Sequence, residues 1–134
     1  MDWKNCLDSA IAKKITPDTE LIKSLLISSS NKLESANLLK TNEVTASSKF
    51  SLAYDALREI LEAVAIKEGY KIYNHECYAC FLGEEFGKKD EATEFDYFRR
   101  IRNKINYYGE NLSVEDISSL IKRIENLIET IKHF

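Results

Sequence analysis

"FSLAYDALREILEAV", residues 50–64, decides the fold. Phe50, Tyr54, Leu57, Leu61 and Val64 recur at intervals of four and three residues, which lines one face of an α-helix with apolar side chains. Gly69 supplies a natural stop, because a positive φ there meets no Cβ penalty. The same periodicity continues on both sides. Upstream, Asp2 is placed to cap a short helix running to about Ile15, and Thr16-Pro17-Asp18 ends it and opens another, with Pro17 tolerated in the first turn. That second helix, Asp18 to about Lys40, carries Ile22, Leu26, Leu33 and Ala36 on one stripe. Its Ser28-Ser29-Ser30-Asn31 run reads as a kink or as a polar face, the second being favoured.

Downstream, Asn74 is placed to cap a short helix containing Cys77, Tyr78, Phe81 and Leu82, closed by Gly83 or Gly87. Lys88 to Ala92 reads as a charged connection. Phe98, Ile101, Ile105 and Tyr108 then form the stripe of a further helix that Gly109 stops. Ser113 followed by Asp116 resembles a capping box with Asp in the Glu position. Beyond it, Val114, Ile117, Ile121, Ile124, Ile128 and Ile131 mark a central packing helix, widened by Leu120, Leu127 and Phe134.

Four glycines and one proline leave few turns, so long helices with short connections are favoured over many short strands. No alternating run of strand length competes. The expected fold is an all-α antiparallel bundle of five to six helices in a single domain, residues 1–134, without internal repeat or linker. A net charge of −3 excludes a global basic field, although a local patch can still meet phosphate. No apolar run approaches the roughly 18 to 20 residues that span a bilayer, so no membrane role is expected. The start Met1-Asp2-Trp3-Lys4 lacks a signal-peptide core, which makes the cytoplasm the expected compartment. Three cysteines in such a chain read as reduced thiols.

One face stands apart. Between residues 98 and 108, Arg99, Arg102, Asn103 and Asn106 gather beside the apolar stripe at i, i+3, i+4 and i+7. Arg102 lies nearest the border, where partial desolvation suits a bidentate phosphate contact. Charges that only solubilise a helix mix Lys with Glu; this face has arginine and amide and almost no acid. A solvated or intersubunit polar face is the plainer reading of the same pattern.

The segment "SLAYDALREILEAVAIKEGYKIYNHECYACFL" (51–82) followed by "FDYFRRIRNKINYYG" (95–109) resembles the HEPN domains, small helical bundles found with minimal nucleotidyltransferases in prokaryotes. The likeness covers roughly residues 46 to 131. The family signature is an Arg, usually followed by a polar residue, with a His a few positions on. Arg102 and Asn103 match its first half, and Tyr107 stands where the His belongs. The resemblance implies metal-independent RNA cleavage in a toxin–antitoxin setting, with Arg102 stabilising the phosphate. A tyrosine, with an intrinsic pKa of about 10, is a poor base at neutral pH, so weak cleavage at most is expected. Tyr107 can instead donate a hydrogen bond or stack on a base. Five residues of ideal helix separate Arg102 from Tyr107 by about 140°. A turned helix end at Gly109, or the second subunit of a homodimer, is then needed to bring them together.

In toxin members of the family a tyrosine just past the His is adenylated by the partner. That slot here holds Gly109, and Tyr108 beside it reads as core, so the modification is not carried over. The site expected from the resemblance is therefore Arg102 and Tyr107 as catalytic residues, with Arg99, Asn103 and Asn106 binding RNA or a nucleotide. The expected partners are a second copy of the chain and a minimal nucleotidyltransferase. The alternative is a non-catalytic interaction module that docks such a nucleotidyltransferase. No cofactor or metal is expected. Cys77-x-x-Cys80 supplies only one ligand pair, and a structural zinc site needs four ligands. His75 reads as a capping-region or surface histidine, with partnership to Arg102 a remote option. Asp55 is placed to pair with an arginine of the 98–108 face or with Arg58.

Overall fold

The computed structural model describes residues 1–134 throughout. Six α-helices are present, joined by one π-helical turn and one small two-stranded sheet. In chain order they are α1 (Trp3–Asp8), β1 (Ala12–Lys14), α2 (Thr19–Leu38), α3 (Ala46–Lys67), β2 (Tyr70–Ile72), α4 (His75–Cys80), the π turn (Phe81–Glu85), α5 (Lys89–Tyr108) and α6 (Val114–Lys132). Helix α3 is the axis of the bundle: Phe50, Tyr54, Leu57 and Leu61 are completely buried. Helix α2 runs antiparallel to it. Lys49 reaches Ala36, Ala56 meets Ser29 and Ala63 packs on Leu25, so the contacts step in opposite directions along the two helices. Helix α5 is antiparallel to α3 on another side, with Phe98 beside Phe50 and Phe95 stacked on Tyr54. The isoleucine and leucine stripe of α6 completes the core. Arg123 of α6 grips Glu94 of α5 through two bonds of 3.1 Å while lying over the Tyr97 and Phe98 rings.

The caps fall where polar side chains precede each periodic run. Asp2 accepts from the Asn5 amide at 2.7 Å, Asp18 from that of Leu21 at 3.0 Å and Asn74 from that of Glu76 at 2.7 Å. Ser113 is the N-cap of α6, but its hydroxyl donates to the Asp116 carboxylate instead of bridging to a backbone amide. Gly109 ends α5 in the left-handed conformation at φ 64°, as its place after the stripe suggests.

Several expectations are corrected. The first helix stops at Asp8, because Ser9 closes it and Ala10 turns the chain through a φ of 60°. The residues expected to continue it form β1 instead, antiparallel to β2 with Ala12 opposite Ile72. Strands of three residues are too short for a period of two to be visible, which hid the sheet. Gly69 sits at the end of this ladder with a φ of 90°, and a Cβ there meets the Ile15 carbonyl at 3.3 Å. Lys88 to Ala92 is no connection: α5 begins at Lys89, its acidic Asp90 and Glu91 placed favourably in the first turn.

The serine run makes no kink, and it is a polar face only in part: Ser30 and Asn31 are exposed, whereas Ser29 is not. Helix α2 passes through it unbroken, and buried Ser29 donates 2.7 Å to the Ala56 carbonyl. Leu26, expected on the buried stripe, is exposed, and Leu25 takes its place. Tyr108, expected in the core, is 78% exposed. Burial on α5 is complete at Phe95 and Phe98, partial at Ile101 and Ile105, and gone one turn later.

The cysteines are also corrected. Cys6 and Cys77 form a disulfide across 71 residues, clasping α1 to α4, and Cys80 alone keeps a free thiol. The C-x-x-C therefore does not act as a pair. Beside the clasp, the Trp3 amide donates to Glu84 at 2.9 Å, and the Trp3 ring packs edge-on against Tyr70.

The α2 C-terminus has no basic residue of its own, and Lys49 of α3 serves it. The buried Lys49 ammonium donates to the Ala36 and Leu39 carbonyls at 2.7 and 2.6 Å. Replacing it by Met leaves both carbonyls unmet at the negative end of the helix dipole. The expected destabilisation is about 2 kcal/mol, read as a lower urea midpoint with unchanged m.

Candidate functional site

The polar face of α5 does not stand alone in the fold. Its Arg99, Arg102, Asn103 and Tyr107 line a cleft of about 390 Å³ whose other wall is Tyr73, Asn74, His75 and Glu76. The β1–β2 ladder fixes where the chain leaves Ile72, and the Asn74 cap starts α4 immediately, so His75 stands in the first helical turn facing α5. Between the walls lies Tyr54 of α3. Its ring is fully buried, its hydroxyl is 2.8 Å from His75 Nδ1, and the Arg102 guanidinium lies over its face at 5.9 Å.

The arginines are not equivalent. Arg99 is bound to Asp96 at 2.8 Å, and Arg100 to the same carboxylate at 2.9 Å. Arg58 pairs with Glu62 at 3.6 Å rather than with Asp55, which forms no ion pair with it or with α5. Arg102 has no carboxylate partner at all and is half-buried against an aromatic face. A guanidinium in that setting keeps its full capacity to bind an anion.

Burial and the Arg102, Arg58 and Arg99 charges push the His75 pKa down from 6.5 to about 4. The ring is neutral at pH 7. Because its folded pKa is depressed, it favours folding fully above pH 6.5, and that contribution is lost as the pH falls through about 4. Burial also raises the Tyr54 pKa, outweighing the opposing pull of the same arginines, so the phenol keeps its proton. His75 and Tyr54 are thus two neutral groups held among cations.

Of the residues expected at the site, Arg99, Arg102, Asn103 and Tyr107 share the cleft and Asn106 does not; Asn106 is exposed and lies outside it. Tyr107 reaches the cleft from a helix that stays regular to Tyr108, so neither a turned end nor a second subunit is needed for that. In the sequence His75 reads as a capping-region or surface histidine and Tyr54 as a core aromatic, so neither is expected at the site. The available signal was that His75 is one of only two histidines and lies in the body of the fold. A larger concavity of about 610 Å³ lies between α4, the π turn and α5, lined by Cys80, Gly83, Ala92 and Tyr97 among others. Its wall is mainly apolar, and its Arg100 is exposed and shares the Asp96 carboxylate with Arg99, so it offers less for chemistry. No helix is long and apolar enough to cross a membrane.

No protein-family profile, curated protein or solved structure matches this chain.

Proposed function

We propose that the chain is a HEPN-like helical protein of toxin–antitoxin type that contacts RNA or a nucleotide through the cleft between α4 and α5. The observation that carries this reading is the unpaired Arg102 guanidinium, supported by the Tyr54 ring and facing the neutral His75. Arg102 takes the phosphate, Asn103 offers an amide to a hydroxyl or base edge, and exposed Tyr107 offers a stacking face. Arg99, held by Asp96, contributes attraction rather than a direct contact. Any RNA cleavage is weak and independent of metal, since Tyr107 stands where the family has its His. The chain works as a homodimer beside a minimal nucleotidyltransferase.

A second reading has its own observation. Tyr107 and Tyr108, 71% and 78% exposed at the end of α5, suit a protein interface, and there the polar face docks the nucleotidyltransferase without binding nucleic acid. Salt separates the two. RNA held by phosphate contacts weakens steeply as salt rises, with a log–log slope of roughly −0.7 per phosphate for single strands, while docking through tyrosines hardly changes. A binding series over salt with a single-stranded RNA, run beside a cleavage assay in EDTA, tests the first reading. A steep slope with little cleavage is expected, and no RNA binding at low salt overturns it.

A further inference from the structure

We propose that Tyr54 is a positioning residue that fixes His75 as a hydrogen-bond donor to the cleft, so that the cleft holds a phosphate group between His75 and Arg102 and does not cut beside it. The inference rests on the anion-binding reading of the cleft and specifies what that site can do.

The Tyr54 hydroxyl is sealed in the core, and His75 Nδ1 at 2.8 Å is its one hydrogen-bond partner. The charged groups acting on it are the Arg102, Arg58 and Arg99 guanidiniums, which cannot accept, and the Asp55 carboxylate, which makes no hydrogen bond to it. The phenol proton therefore has one destination, Nδ1. A neutral imidazole that accepts at Nδ1 carries its proton on Nε2. Nε2 makes no bond inside the protein, and His75 lines the cleft, so an N–H is offered there next to the free guanidinium. Two donors from different helices, neither neutralised by a carboxylate, suit a tetrahedral oxyanion.

The same bond removes the lone pair that a general base needs at Nε2. Taking a proton from a 2′-hydroxyl requires Nε2 to be bare, and then Nδ1–H points at Tyr54 and leaves the buried phenol proton without an acceptor. Tyr54 thus sets the site toward holding. One residue acts on both partners, because the face of its ring also supports Arg102. The ligand class is a phosphate group, either the terminal phosphate of a nucleotide or 5′-phosphorylated RNA, or the internal phosphodiester of a single strand.

The test is nitrogen-15 NMR of His75 in the full chain at neutral pH, free and with three probes: inorganic phosphate, a short 5′-phosphorylated RNA and its 5′-hydroxyl counterpart. The expected free spectrum is the Nε2–H tautomer, with Nδ1 at an acceptor shift, and Tyr54→Phe moves Nδ1 toward a mixture of tautomers. Phosphate-bearing probes are expected to shift Nε2–H and the Arg102 guanidinium together, and uncleaved RNA is recovered. A response to both RNAs assigns the internal phosphodiester; a response only to phosphate and the 5′-phosphorylated strand assigns the terminal group. A wild-type spectrum with Nδ1–H overturns the role of Tyr54 whatever binds, and needs no variant to fold. The expected tautomer with no response to any probe overturns the anion-binding reading instead. Metal-free cleavage that His75→Gln abolishes overturns the claim that the cleft only holds.

Discussion

Breaking the Cys6–Cys77 disulfide is expected to lower the unfolding free energy by roughly 4 kcal/mol, the value that chain entropy assigns to a loop of this length. The bond joins residues 71 apart in sequence and ties together two helices of six residues each. Helices that short do not persist by themselves in water. What remains for α1 is the burial of Trp3, the packing of Leu7 on the core and one bond from the Trp3 amide to Glu84. Chemical denaturation of the double variant Cys6→Ala/Cys77→Ala should show the loss, and wild type in excess dithiothreitol should match it. Trp3 is the one tryptophan, so its fluorescence reports directly whether α1 stays docked. Equal midpoints for wild type with and without reductant mean that the two sulfurs are not joined in the protein. The consequence reaches the site, because His75 stands two residues before Cys77 on the clasped helix.

Replacing Arg102 by alanine is expected to weaken binding of single-stranded RNA by about ten- to a hundredfold, the range for losing hydrogen bonds to a charged group. Three companions make the result specific. Arg102→Lys keeps the charge and loses the planar fork, so an intermediate value is expected. Arg99→Ala should have a smaller effect, because that guanidinium is already committed to Asp96. Asn106→Ala should change nothing, since it lies outside the cleft. Fluorescence anisotropy with labelled RNA at fixed salt reads all four. Equal losses at Arg99 and Arg102 would reduce the site to bulk electrostatics.

The long helices were legible in the sequence because each buries one stripe, and a stripe leaves a period that survives translation into letters. Tyr54, Leu57 and Leu61 on α3 and the isoleucines of α6 are such cases. What was not legible depends on encounters between distant residues. The sheet pairs Ala12 with Ile72, and the disulfide pairs Cys6 with Cys77; neither leaves a local pattern. Ser29 looked polar by type, yet the Ala56 carbonyl across the helix pair makes its burial affordable. The site divides the same way. Arg102 announced itself by its position on the border of a stripe, whereas Tyr54 passed as an ordinary core aromatic. Its second role exists only because the sheet and the clasp bring His75 to within 2.8 Å of its hydroxyl.

Mapping backbone and side-chain NMR shifts during titration with a 5′-phosphorylated single-stranded RNA tests the phosphate-gripping cleft most directly. Changes concentrated at His75, Arg102, Asn103 and Tyr107, with Asn106 and the apolar concavity around Cys80 silent, are predicted. Changes centred on that concavity, or none at Arg102, would contradict it.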